Sequence, residues 1–105
     1  QKVEQLQKKG FKKIIIDPGF GFGKTIEHNY EILKKFKKFK KFNLPILAGI
    51  SRKSMIYNLL NVTSEEALNG TTVANTISLL NGANILRVHD VKEAVECIRI
   101  YEMIR

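Results

Sequence analysis

Ile14-Ile15-Ile16-Asp17-Pro18-Gly19-Phe20-Gly21-Phe22-Gly23-Lys24 passes from an unbroken β-branched run to an acidic residue and then into a glycine-rich loop. An apolar run of this kind fits a strand covered on both faces, and the polar residues mark where the strand gives way to a loop. Two further segments follow the same plan. Ile46-Leu47-Ala48-Gly49-Ile50 runs into Ser51-Arg52-Lys53-Ser54, and Ile85-Leu86 runs into Arg87-Val88-His89-Asp90. Spaced about 35 residues apart, the three leave room for helical crossovers, so they are predicted to be parallel strands whose carboxyl ends share one edge. The expected strands cover about residues 13–17, 45–50 and 84–88, with Pro45 at the opening of the second, where its missing N–H does least harm.

The intervening segments have helical patterns. Thr25 is placed to cap a helix running to about Phe42, with Ile32, Leu33, Phe36, Phe39 and Phe42 as its inward stripe. Thr63-Ser64-Glu65-Glu66 has the spacing of a capping box, and Asn81-Gly82 offers the left-handed residue that ends a helix. Between them, Ala67, Thr71, Ala74 and Ser78 form a small-residue strip beside Val73, Ile77 and Leu80, suited to lying close on a sheet. A last helix, about residues 91–103, is expected to turn Ala94, Val95, Ile98 and Tyr101 inward. The fold class is therefore α/β, three parallel strands with following helices. Three strands are too few to close a barrel and leave two unpaired edges. The chain also opens at Gln1 in mid-helix pattern, so it is expected to be a portion of a larger (β/α)₈ barrel.

At 105 residues and 44% hydrophobic content the chain suffices for one globular unit, with no membrane span or secretory leader expected. Cys97, the only cysteine, has no partner for a disulfide and no metal-ligand spacing around it, which fits a reducing cytoplasm. The net charge of +8 is local: six of the 18 Lys and Arg lie between Lys34 and Lys41, leaving 12 cations against 10 anions elsewhere. There the lysines coat the wet face of a helix whose phenylalanines face in. No nucleic-acid partner is expected, although a basic nucleic-acid- or anion-binding module on that face is the rival from another class.

The glycine-rich loop is neither of the common nucleotide motifs. A P-loop needs four residues between its first Gly and Gly-Lys-Thr, whereas Gly19 and Gly23 have three between them. The dinucleotide fingerprint fails too, because Gly19, Gly21 and Gly23 alternate strictly. The loop either holds Phe20 and Phe22 out on glycine hinges to clamp a flat ligand, or makes a tight strand-to-helix turn. Asp17 is either an anchor for loop N–H groups or an acceptor for ligand donors. Ser51-Arg52-Lys53-Ser54 offers cations and hydroxyls at a helix start. Arg87 and His89 alternate along a strand end and project to one side, suited to a phosphoryl group, while Asp90 is expected to cap the next helix. Together they describe a ligand with a donor edge at one side and a strong negative charge at the other.

Asp17-Pro18-Gly19-Phe20-Gly21-Phe22-Gly23-Lys24, Ser51-Arg52-Lys53-Ser54-Met55-Ile56 and Arg87-Val88-His89-Asp90-Val91 resemble, in order and spacing, three signature segments of the dihydropteroate synthase family. The likeness covers essentially residues 1–105 and corresponds to the C-terminal part of that family's pterin-binding TIM barrel. It implies condensation of p-aminobenzoate with 6-hydroxymethyl-7,8-dihydropterin pyrophosphate to give 7,8-dihydropteroate and pyrophosphate in folate biosynthesis. Carried over residue by residue, it implies that Asp17 and Lys53 bind opposite edges of the pterin with Arg87 bordering it. Arg87 and His89 would bind pyrophosphate, and Gly21, Phe22 and Ser54 would form the p-aminobenzoate pocket. No nucleophilic side chain is required, and the roles of Lys24 and Arg52 stay open. The resemblance also implies Mg²⁺, held by a residue outside this chain, and a homodimer for the whole protein. The isolated chain is expected to be poorly active, and a non-catalytic, pterin-binding-like domain is the remaining alternative.

Overall fold

The computed structural model describes residues 4–5, 14–21 and 24–105. Most of the helical pattern expected over residues 1–10, the start of the first strand and Phe22 lie outside the described residues. The parallel arrangement holds, with paired segments shorter than expected. Leu47–Ala48 (β1) pairs in parallel with Ile85–Leu86 (β2), with Leu47 opposite Ile85 and Ala48 opposite Leu86. On the other side of β1, Ile16 makes a parallel bridge to Ile46: its N–H donates to the Pro45 carbonyl (2.9 Å) and its carbonyl accepts from Leu47 (2.7 Å). The three segments thus lie in chain order, and their polar ends emerge on the same side.

The connections are helical, as parallel pairing requires. Ile26–Lys34 (α1) is capped by the Thr25 hydroxyl, which accepts from the His28 N–H at 3.1 Å. The expected continuation to Phe42 is corrected. The α-helix ends at Lys34 with Lys35 as its C-cap, and Phe36–Phe42 is a 3-10 helix. The Phe-Lys-Lys repeat explains the switch. A 3-10 helix has three residues per turn, so Phe36, Phe39 and Phe42 fall on one face, where an α-helix would rotate them apart. Phe36 and Phe42 are buried and Phe39 is half-buried, while all six lysines are exposed.

After β1 come Ser54–Leu60 (α2), a 3-10 turn at Ser64–Glu66, and Leu68–Leu80 (α3). The capping box is present, but Thr63 and Glu66 cap the 3-10 turn, and the α-helix begins two residues after it. The small strip is buried: Ala67, Thr71, Ala74 and Ser78 face the interior, as do Asn75 and Leu79. Val73, Ile77 and Leu80 are exposed. Gly82 (φ 110°) closes the helix as expected. In Val91–Glu102 (α4), Ala94 is buried and Ile98 and Tyr101 are half-buried as expected, whereas Val95 is exposed and Cys97 takes its place on the buried face. Phe20 is also corrected: it is 7% exposed and packs on Phe36 with ring centroids 5.5 Å apart, so it belongs to the core and is not held out on the glycine loop.

Candidate active site at the strand ends

Five of the residues singled out in the sequence, Asp17, Ser51, Lys53, Arg87 and His89, lie at the carboxyl ends of the three paired segments, and each contacts a neighbouring strand end or loop. The Asp17 Oδ1 accepts from the Gly19 N–H at 3.1 Å, fixing the turn out of the first strand, and its Oδ2 lies 3.5 Å from Arg87 Nη1. Lys53 Nζ donates to the Phe20 carbonyl at 2.8 Å, so the loop after β1 is tied to the glycine-rich loop. Ser51 and His89 meet through Oγ and Nδ1 at 2.8 Å. Gly49, Ser51, Lys53, Arg87, Val88 and His89 line a recess of about 130 Å³. A recess this small suits one anionic group, since sites for drug-sized ligands run to about 300 Å³ or more.

Backbone geometry makes these contacts possible. A Cβ on Gly49 would stand 2.5 Å from Arg87 Nη2 and 3.0 Å from its Cζ, so only glycine lets the guanidinium lie against the strand. Gly21 has φ 116°, a conformation side chains rarely adopt. Its N–H donates to Asn29 Oδ1 (2.9 Å), and the Asn29 Nδ2 donates to the Thr25 carbonyl (3.1 Å). Burial pulls the Lys53 ammonium below the usual lysine value; the Arg87 charge adds to this, Asp17 opposes it, and Lys24 adds again. An anion in the recess would relieve that repulsion between cations.

Arg52 was without a role and now has a structural one. At φ 54°, its N–H donates to the Thr71 hydroxyl (3.0 Å). Its guanidinium grips Asp90 bidentately, Nε–Oδ2 2.9 Å and Nη2–Oδ1 3.0 Å, and donates to the Ser64 and Glu65 carbonyls. The expectation that Asp90 caps α4 is thereby corrected. Asp90 stands at the N-cap position, yet its carboxylate makes no cap bond and is taken up by Arg52. Ser54 is half-buried at the start of α2 and does not line the recess. Sequence reasoning missed Asn29, whose signal was an amide one turn before Leu33 on the inward side of α1.

Among the described residues no group of three or more His, Cys, Asp or Glu side chains comes together as a metal site, and no helix is long and apolar enough to cross a membrane. A larger apolar groove of about 560 Å³ between α1, α2 and α3 has Lys34 as its one charged lining residue among those described, so it lacks the acid-and-cation pattern of the strand ends.

Residues 1–89 match the family described as "Pterin binding enzyme". The dihydropteroate synthase of Escherichia coli K12 is 53% identical over 91 residues, covering 87% of this chain and 32% of that protein. The bifunctional dihydropteroate synthase/dihydropteroate reductase of Helicobacter pylori is 39% identical over 102 residues, covering 97% of this chain and 27% of its own length. Among solved structures, Yersinia pestis dihydropteroate synthase with a pterine-sulfa conjugate superposes with a TM-score of 0.89 at 44% identity, covering 96% of this chain and 41% of that one. The Coxiella burnetii dihydropteroate synthase in complex with pteroic acid gives 0.87 at 41% identity, over 95% and 38%. The chain spans about a third of the length of the curated relatives it matches. Its architecture is that of part of a (β/α)₈ barrel.

Proposed function

Because this chain belongs to the pterin-binding enzyme family, we propose that residues 1–105 supply the C-terminal part of the barrel, with its anion-binding wall, in a dihydropteroate synthase. The observation that carries this reading is the meeting of Lys53, Arg87 and His89 around one small recess at the strand ends, with Asp17 3.5 Å from Arg87. The whole protein joins p-aminobenzoate to 6-hydroxymethyl-7,8-dihydropterin pyrophosphate, giving 7,8-dihydropteroate and pyrophosphate for folate biosynthesis. Asp17 accepts from the amino edge of the pterin and Lys53 donates to its carbonyl-bearing edge, so the ring is oriented by an acceptor and a donor. Arg87 borders the pterin and, with His89, holds the pyrophosphate.

In the reaction the bond between the pterin's methylene carbon and the pyrophosphate oxygen breaks, and the electron pair leaves with the oxygen. The guanidinium of Arg87 and the imidazole of His89 stabilise the charge that grows there. The arylamine nitrogen then bonds to the methylene carbon and loses a proton, so no side chain of this protein becomes covalently attached. Gly21, Phe22 and Ser54 belong to the p-aminobenzoate pocket of this reading. Mg²⁺, which the family resemblance implies, is assigned in this reading to a residue outside this chain. A cytoplasmic homodimer without nucleic-acid or membrane partners completes the proposal for the whole protein.

The test is made on the complete protein that carries this chain, supplied with both substrates. Lys53→Ala and Arg87→Ala are each expected to lower kcat/KM by about a hundredfold or more. Retention of full turnover by both variants sinks the assignment.

A further inference from the structure

We propose that Ser51 is a positioning residue that fixes the tautomer of His89, holding its proton on Nε2 so that the ring presents an N–H donor to a phosphoryl oxygen in the recess. The inference deepens the anion-site reading above and rests on it for the identity of the ligand. Ser51 stands at the end of the strand run that begins at Ile46 and is 5% exposed. Its Oγ accepts the backbone N–H of His89 at 3.1 Å and lies 2.8 Å from His89 Nδ1. Two arrangements satisfy the second distance. In one, the hydroxyl proton points to Nδ1, so Nδ1 is an acceptor and Nε2 carries the ring proton. In the other, Nδ1–H donates to Oγ and the hydroxyl proton must go elsewhere.

The surroundings select the first. Among the described residues, Ser51 Oγ has no hydrogen-bond partner besides the two atoms of His89. The second arrangement therefore leaves a buried donor unmatched, which is costly, whereas the first uses the hydroxyl's donor and one of its acceptor sites fully. His89 Nε2 has no partner among the described residues, and the ring lines the recess with Lys53 and Arg87. A histidine that binds through one nitrogen is commonly set by the hydrogen bond at the other. Here that bond comes from a serine two residues after Gly49, the glycine that admits Arg87, so one short segment arranges both anion-binding side chains.

The tautomer is read directly from the imidazole ¹⁵N resonances of the full chain at about pH 8, where an ordinary histidine is neutral. The chain has two histidines, and His28, exposed on α1, serves as the internal reference. The expected spectrum of His89 has a protonated Nε2 and an unprotonated Nδ1, and Ser51→Ala converts it to a mixture of both forms with His28 unchanged. A protonated Nδ1 in the unaltered chain overturns the proposal, as does a Ser51→Ala spectrum identical to it. Titration with inorganic pyrophosphate supplies the second readout. Ser51→Ala is expected to weaken binding about tenfold. In a His89→Gln background, whose side-chain amide stands in for the Nε2 donor, the same change is expected to cost less than about twofold, since there is no ring left to orient. Equal losses in both backgrounds overturn the positioning role. If the unaltered chain binds no pyrophosphate even at millimolar concentration while the Nε2–H spectrum is present, the anion-site reading fails and the Ser51–His89 tautomer stands.

Discussion

Asn29 is 1% exposed on α1, and both ends of its amide are used, one on the Gly21 N–H and the other on the Thr25 carbonyl. It therefore ties the glycine-rich loop to the first turn of the helix that follows. Asn29→Ala leaves the part-buried Gly21 N–H without its partner, while the Thr25 carbonyl keeps the backbone N–H of residue 29. The expected loss of stability is about 1–3 kcal/mol in urea unfolding, together with faster amide exchange at Gly21. Gly49 gives the opposite balance. The Arg87 side chain that a Cβ would strike is 60% exposed and free to swing away. Gly49→Ala is thus expected to change stability by less than about 1 kcal/mol while weakening pyrophosphate binding about tenfold, because the displaced guanidinium no longer borders the recess. Unchanged affinity would show that Arg87 needs no support from the strand.

At the level of elements, α2 and α3 meet where Gly70 faces Ile56 and Leu60. A Cβ on Gly70 would lie 2.6 Å from Ile56 Cγ2 and 2.7 Å from Leu60 Cδ1. Alanine favours a helix over glycine by about 1 kcal/mol, but overpacking a close contact costs about 1–3 kcal/mol. Ile56 is 2% exposed and cannot give way, whereas Leu60 at 50% can. Gly70→Ala is therefore expected to lower the unfolding midpoint, and adding Leu60→Ala should return only part of the loss; a stabilised single variant contradicts the contact. Much of this architecture was legible in the sequence. The β-branched runs at Ile14, Ile46 and Ile85 and the polar residues after them located the parallel edge, and Thr25 and the Thr63–Glu66 box located two caps. The 3-10 segment was not legible as such, because Phe36, the first of the three phenylalanines, continues the inward stripe of Ile32 and Leu33 on the preceding α-helix, and only the full repeat through Phe42 departs from it. Asp90 was misread because a cap residue that also has a guanidinium 38 positions upstream can choose the stronger, charge-assisted partner. Nothing in a linear sequence shows that Arg52 will arrive there.

For the molecule as a whole, the Arg52–Asp90 pair joins the loop after β1 to the loop after β2 and so couples stability to pH. Its hydrogen bonds with Arg52 hold the Asp90 carboxyl below the usual carboxylate range, and the Thr63 N–H and hydroxyl do the same for Glu66. A carboxyl whose folded value is depressed contributes stability above its unfolded value, about pH 4, and loses it as pH falls through the lower folded one. Unfolding midpoints should therefore fall on acidification below about pH 4, and Asp90→Asn should flatten that fall while Thr63–Glu66 preserves part of it. A variant with the same acid slope would remove Asp90 from the coupling. The larger question is what the outward surfaces do. Val73, Ile77 and Leu80 on α3 and Val91, Val95 and Ile100 on α4 are exposed, and the outer edges of Ile16 and β2 have no strand partner among the described residues. Parallel sheets are stable when their faces are covered and their edges paired, and in a (β/α)₈ barrel neighbouring βα units do both. The same neighbours would complete the site for which these residues are proposed to furnish the anion-binding side. Turnover by the 105-residue chain is accordingly expected to lie at least about a hundredfold below that of the complete protein, since orientation of two substrates needs walls on both sides. Equal turnover by the two, measured as pyrophosphate released from the dihydropterin substrate in the presence of p-aminobenzoate, would show that these three strand ends form a sufficient active site.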